Sequence, residues 1–122
     1  QQYNTNSKIC WVAGFSFGAW IGMQLLMRRP EINGFISVSP PANIRDFSFL
    51  APCPSSGLIV HGDKDNIASY DSTKILVEKL QKQKKVEIKF NPIKGADHFY
   101  ENYSSDLENS VKDYIQQKLP KD

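Results

Sequence analysis

The stretch WVAGFSFGAW, residues 11–20, sets a serine between two glycines where an apolar run gives way to a glycine-spaced one. The run before it, KICWVA at residues 8–13, is short and rich in bulky and β-branched side chains, the pattern of a strand buried on both faces. Behind it, Trp20, Met23, Leu26 and Met27 recur near helical spacing from Phe17 to Arg29. Pro30 stops that run after two arginines suited to a helix C-terminus. A strand, a turn and a helix therefore surround Ser16. Taking about 7% each for Gly and Ser, composition alone would place G-x-S-x-G in a chain of this length only about 0.04 times, so the pattern asks for a physical cause.

That cause is geometric. A tight strand-to-helix turn forces Ser16 into a strained backbone conformation with its hydroxyl exposed, and side chains at Gly14 and Gly18 are expected to collide with neighbouring backbone. Gly18 and Gly22 lie four apart on one helical face, which lets the helix approach a sheet closely. The amide of Phe17, at the helix start, points to where an oxyanion would form.

Outward from this turn the chain alternates. Residues 34–39 (GFISVS) read as a second strand stopped by Pro40 and Pro41, which remove two backbone donors. A connection follows, with one helical turn expected around residues 44–49, and GLIVHG at residues 57–62 is a third strand. Residues 71–83 read as a helix with Ile75, Leu76, Leu80 and Val77 inward, opened by Asp71 or Ser72 as a cap. VEIKFNPI at residues 86–93 alternates Val86, Ile88 and Phe90 with Glu87 and Lys89, and with Pro92 it suits a sheet edge. A last helix is expected from Ser104 to Leu119, with Leu107, Val111, Tyr114 and Ile115 on one stripe. The fold class is thus α/β: a parallel sheet of about four strands with helices on both faces and right-handed crossovers.

The bulk properties narrow the function classes. At 122 residues and 40% apolar content, one domain spanning residues 1–122 is the default. The formal charge is only +2, and the basic run KQKK at residues 82–85 reads as a solvated helix end, so nucleic acid is not an expected partner. The two cysteines, Cys10 and Cys53, have neither zinc-site nor disulfide-framework spacing, which fits a reducing cytoplasm and no bound metal. No apolar stretch approaches the roughly 20 residues of a spanning helix, so no membrane is expected. The opening QQYNTNSK reads as a frayed helix end and a polar turn rather than a natural start.

In a parallel sheet the loops at the strand C-terminal ends gather on one edge, where ligands bind. Ser16, Asp63 or Asp65, and His98 each follow a different expected strand by a few residues, and so share that edge. A serine hydroxyl becomes nucleophilic when an imidazole takes its proton, and the imidazole needs a carboxylate to hold its tautomer. Asp63 has the simpler reading of a turn residue that accepts backbone hydrogen bonds. His61, at the end of a strand, reads as a structural, hydrogen-bonded histidine, whereas His98 in a polar loop is free to reach Ser16.

GFSFG, HGDKDNIA and GADHFY together resemble the α/β-hydrolases, in which an H-G-x-x-D-x-x-V segment carries the triad acid and a final loop carries the histidine. The resemblance implies Ser16 as nucleophile, Asp65 as acid, His98 as base and the Phe17 amide as an oxyanion donor. The segment SPPANIRDFSFLAPCPSSGLIVHGDKD is similar to a small, lidless bacterial branch related to dienelactone hydrolases and short-chain esterases. A serine hydrolase acting on a small ester or thioester, without cofactor or metal, is therefore expected. Phe15, Ile44 and Phe47 are expected to bind substrate, with Phe49 and Leu50 as further candidates for the acyl-side wall; packing beneath the loop is the alternative for the residues of that connection.

The resemblance reaches only the second half of the family fold. The resemblance implies that the front strands of that fold, and the loop that carries the second oxyanion donor, are not among these 122 residues. The first strand is then expected to keep one open edge, with uncovered apolar surface around Trp11. It would be completed by a longer polypeptide, by a homo-oligomer or by a second chain. Two other readings stay open: a peptidase or acyltransferase using the same triad, and a non-catalytic interaction module.

Overall fold

The computed structural model describes residues 10–119. β1 (Trp11–Phe15) leads into α1 (Phe17–Arg28), β2 (Gly34–Val38) and a short 3-10 turn (Ser48–Leu50). β3 (Gly57–Gly62), α2 (Tyr70–Gln81), β4 (Ile88–Ile93) and α3 (Ser104–Lys118) follow. The strands form one sheet in the order β1-β2-β3-β4. Each neighbouring pair is parallel.

Alternation along the central strands divides the core into two layers, because successive side chains point to opposite faces. Phe35 and Ile59 meet Met23 and Leu26 of α1 and Val77 and Leu80 of α2 on one face. Ile36, Leu58 and Val60 meet Tyr114 of α3 on the other, where Leu107, Val111 and Ile115 also pack. β3 is buried along its whole length, as expected for a strand with helices above and below.

β1 departs from the expectation of burial on both faces. It pairs with β2 on one side, and Ala13 and Phe15 are exposed. Its span is also displaced: it continues through Gly14 and Phe15, which pair with Ser37 and Val38, while residues 8 and 9 lie outside the described residues. Trp11 is half-buried, its ring 5.7 Å from that of Tyr114. The uncovered apolar surface lies instead at Phe15 on β1 and at Phe17, Ile21 and Leu25 on α1.

Three further expectations change. α2 starts one residue earlier than expected and is capped by Ser69, whose side chain accepts from the amide of Ser72, not by Asp71 or Ser72. Thr73, Val77 and Leu80 are buried and Leu76 packs against the same core, while Ile75 is 57% exposed. β4 begins at Ile88, the partner of Gly57, so Val86 and Glu87 belong to the approach rather than to the strand. β4 does lie at the sheet edge, where Pro92 withholds no donor from a further neighbour.

Candidate active site

Ser16 sits between β1 and α1 with φ 57° and ψ −119°, a backbone conformation costly for a residue with a Cβ. Neighbouring structure holds it there. Its amide donates to the carbonyl of Val38 at 2.8 Å, and its carbonyl accepts from the amide of Ala19 at 2.9 Å. A Cβ on Gly14 would stand 2.2 Å from the carbonyl oxygen of Gly18, so the strand and the returning helix can cross only over a glycine. Gly18 itself is different: a Cβ there meets nothing within 4 Å, and the expected collision at this position does not occur. The close approach of α1 to the sheet occurs at Gly22, where a Cβ would lie 3.2 Å from a methyl of Val12.

His98 and Asp65 reach the same rim from the loops after β4 and β3. His98 Nε2 lies 3.0 Å from Ser16 Oγ, and His98 Nδ1 lies 2.7 Å from Asp65 Oδ2. A carboxylate only accepts, so Nδ1 carries the proton and Nε2 offers its lone pair to the serine hydroxyl. Asp65 is fixed through its other oxygen, Oδ1, which accepts from the amides of Ile67 at 2.9 Å and Ala68 at 2.8 Å. Asp63 does not join them; its Oδ1 accepts from the amide of Gly95 at 2.7 Å and ties the β3 loop to the β4 loop.

Phe17 is the first residue of α1, so helix geometry gives its N–H no intrahelical acceptor. Its ring is half exposed and carries the Arg45 guanidinium 4.9 Å above it. Phe15 lies against His98, with ring centroids 5.2 Å apart, and remains 43% exposed. Ile44 is exposed on the connection after β2. Phe47 is only 6% exposed and packs in the core with Leu50, so burial beneath the loop describes it and little of its ring is left for a ligand. The 460 Å³ groove that Phe47 lines with Leu76, Leu80 and Gln83 includes none of Ser16, Asp65 and His98.

Phe99 and Tyr100 are further residues near the site that the sequence does not single out, while His61 is the buried, hydrogen-bonded histidine expected at the end of β3. Phe99 packs edge-on against the His98 ring at 5.0 Å and is 67% exposed; its place next to His98 was the available signal. The Tyr100 hydroxyl lies 2.9 Å from Ser39 Oγ, and burial pushes its phenol up to about 12. His61 is fully buried, and its Nε2 lies 2.7 Å from the carbonyl of Ala68 and 3.3 Å from Asp65 Oδ2. Burial, the largest influence on this ring, holds its pKa below the ordinary 6.5, against the opposing pull of Ala68 and Asp65. Among the described residues no cluster of His, Cys, Asp and Glu could hold a metal ion, and no helix is long and apolar enough to cross a membrane. Cys10 and Cys53 are free thiols.

A parallel sheet whose C-terminal rim joins a serine on a strand-to-helix turn to a histidine and an aspartate defines the α/β-hydrolase class. Residues 1–118 match the dienelactone hydrolase family, and the chain belongs to it. An uncharacterized protein of Rickettsia prowazekii is 49% identical over 119 residues, which cover 94% of this chain and 50% of that protein. A crystal structure of a candidate α/β hydrolase of unknown function from Agrobacterium tumefaciens superposes with a TM-score of 0.90 at 52% identity, covering 96% of this chain and 56% of that one. A lidless α/β serine hydrolase from Xanthomonas campestris does so with a TM-score of 0.79 at 28% identity, covering 92% and 49%. The chain thus spans about half the length of these relatives.

Proposed function

We propose that this chain works as a serine hydrolase that cleaves small carboxylic esters or thioesters through an acyl-enzyme. The observation that carries the reading is the unbroken relay from Ser16 Oγ to His98 at 3.0 Å and from His98 to Asp65 at 2.7 Å, built on a serine held at a φ of 57° between β1 and α1. In the acylation step Ser16 Oγ attacks the ester carbonyl carbon while its proton passes to His98 Nε2. Asp65 keeps the imidazole in the accepting tautomer and stabilises the imidazolium. The Phe17 amide holds the oxyanion, and His98 returns the proton to the leaving alcohol or thiol. Water, activated by the same imidazole, then resolves the acyl-enzyme. Phe15 and Phe99 flank His98 and offer an apolar wall to the acyl or leaving group.

Labelling with a fluorophosphonate probe tests this. The wild-type chain reacts at Ser16, whereas Ser16→Ala and His98→Ala do not; a folded wild-type chain that stays unlabelled overturns the reading.

The open side of β1 supports a second reading, an interaction role. Phe15, Phe17, Ile21 and Leu25 are 39–50% exposed beside a strand whose only partner among the described residues is β2. A second chain adding a strand there would cover that surface. Size-exclusion chromatography showing a stable monomer that melts cooperatively counts against it.

A further inference from the structure

Asp65 is shared by two histidines, and the mechanism above uses only one of them. His61 approaches from β3, with Nε2 placed between the Ala68 carbonyl at 2.7 Å and Asp65 Oδ2 at 3.3 Å. A carbonyl accepts only, so this nitrogen carries the proton. The opposite nitrogen, Nδ1, is buried and has no hydrogen-bond partner among the described residues. Protonating it would place a donor in a dry pocket with no acceptor, a cost that keeps the ring neutral. The titratable groups facing the ring are Asp65, His98 and Tyr70, the last lying edge-on at 6.0 Å.

We propose that His61 is a positioning residue for the proposed hydrolase: as a neutral Nε2–H tautomer it clamps residues 65–68 so that Asp65 presents Oδ2 to His98. The geometry divides the labour within one turn. The amides of Ile67 and Ala68 take Oδ1, and the Ala68 carbonyl, turned the other way, takes the His61 proton. The peptide after Ala68 is thereby fixed from the sheet side, which stops the turn from opening and swinging the carboxylate away. Because His61 is neutral, it steers the carboxylate without cancelling the charge that stabilises the His98 imidazolium.

The proposal rests on the triad reading, and the test separates the two. The probe is a fluorophosphonate, and the readout is its second-order labelling rate at Ser16 as a function of pH. His61→Leu removes the donor, and the rate is expected to fall by about tenfold to a hundredfold, the scale of a misplacement of an ångström or less. The acid limb of its profile moves to lower pH, because a poorly held carboxylate stabilises imidazolium less. His61→Gln carries an amide N–H near the position of Nε2 and restores the rate. His61→Asn reaches only the depth of Nδ1 and does not. A folded His61→Leu with the wild-type rate and profile overturns the proposal, as does a His61→Gln no faster than His61→Asn. Nitrogen-15 spectra of the wild type decide even where a variant fails to fold: an unprotonated His61 Nδ1 at neutral pH is required, and a protonated one is fatal to the clamp. An unlabelled wild type sinks the triad reading instead, and the spectra then judge the His61 tautomer alone.

Discussion

The hydroxyls of Tyr100 and Ser39 lie 2.9 Å apart across 61 residues of sequence. Both are buried, and Ser39 is held at a φ of 53°. The bond joins the loop that carries His98 to the end of β2. The same strand end receives the amide of Ser16 at the Val38 carbonyl. Replacing Tyr100 by Phe keeps the ring and deprives a fully buried Ser39 hydroxyl of this partner. The expected loss is about 1–3 kcal/mol, measurable as a lower urea midpoint with an unchanged slope. With its phenol pushed up to about 12 from the ordinary 10, the unfolded Tyr100 ionises first. This residue's share of stability is therefore present below pH 10 and is lost as pH rises towards 12.

The two glycines flanking Ser16 are predicted to respond in opposite ways. Gly14→Ala drives a Cβ onto the carbonyl of Gly18 at 2.2 Å, against backbone that cannot yield, and the turn should fail to form. Gly18→Ala meets open space within α1 and should stabilise by about 0.5–1 kcal/mol through helix propensity. Thermal melts of the two variants decide the matter; equal losses would contradict the difference in their surroundings.

Ser16 separates stability from reactivity. Ser16→Ala and Ser16→Gly both remove the hydroxyl, but only glycine accepts a φ of 57° and ψ of −119° without strain. Ser16→Gly should therefore be the more stable of the pair by about 1–3 kcal/mol, and neither should react with a fluorophosphonate. Denaturant titration of the two side by side reads the strain directly.

The buried His61 sets a pH dependence. Its pKa is below 6.5 in the folded chain, chiefly through burial. As pH falls through 6.5, the unfolded ring gains a proton that the folded ring refuses, so this contribution is complete above 6.5 and drains away below it. The wild-type melting temperature should drop more between pH 7.5 and 5.5 than that of His61→Gln, which has nothing to titrate. Parallel curves would mean that the ring takes up its proton as readily in the folded chain as in the unfolded one.

The sequence made the sheet legible because buried parallel strands announce themselves as short apolar runs. GLIVHG reads as a strand with the bounds it has in the structure, Gly57–Gly62. The turn at Ser16 was equally visible, since strand, glycines and helix stand in one stretch. Position after β3 does not choose between Asp63 and Asp65; the H-G-x-x-D resemblance points to Asp65, and the hydrogen bonds to Gly95 and to His98 separate the two in the structure. The inward face of α2 was misjudged because Ile75 is apolar yet turned to solvent, while the buried Thr73 gives its hydroxyl proton to the carbonyl of Pro40 at 2.9 Å. Phe47 reads from the sequence either as substrate wall or as packing beneath its loop, because no periodicity in a connection signals which way a ring turns, and the structure buries it to 6% exposure. The Tyr100–Ser39 contact spans 61 residues, and pattern in one dimension carries no trace of it; His61 and Asp65 stand four apart in HGDKD, but which atoms of the two meet is visible only in the folded loop.

Val38 and Val60 give the rim its rigidity. The amide of Ser16 is anchored on the carbonyl of one, and the amide of Ser39 on that of the other, each at 2.8 Å. The proposed reactive centre therefore has no hinge of its own and borrows its stiffness from the seam between the two middle strands. Heat should silence it and melt the chain in a single event, with no dead-but-folded species in between.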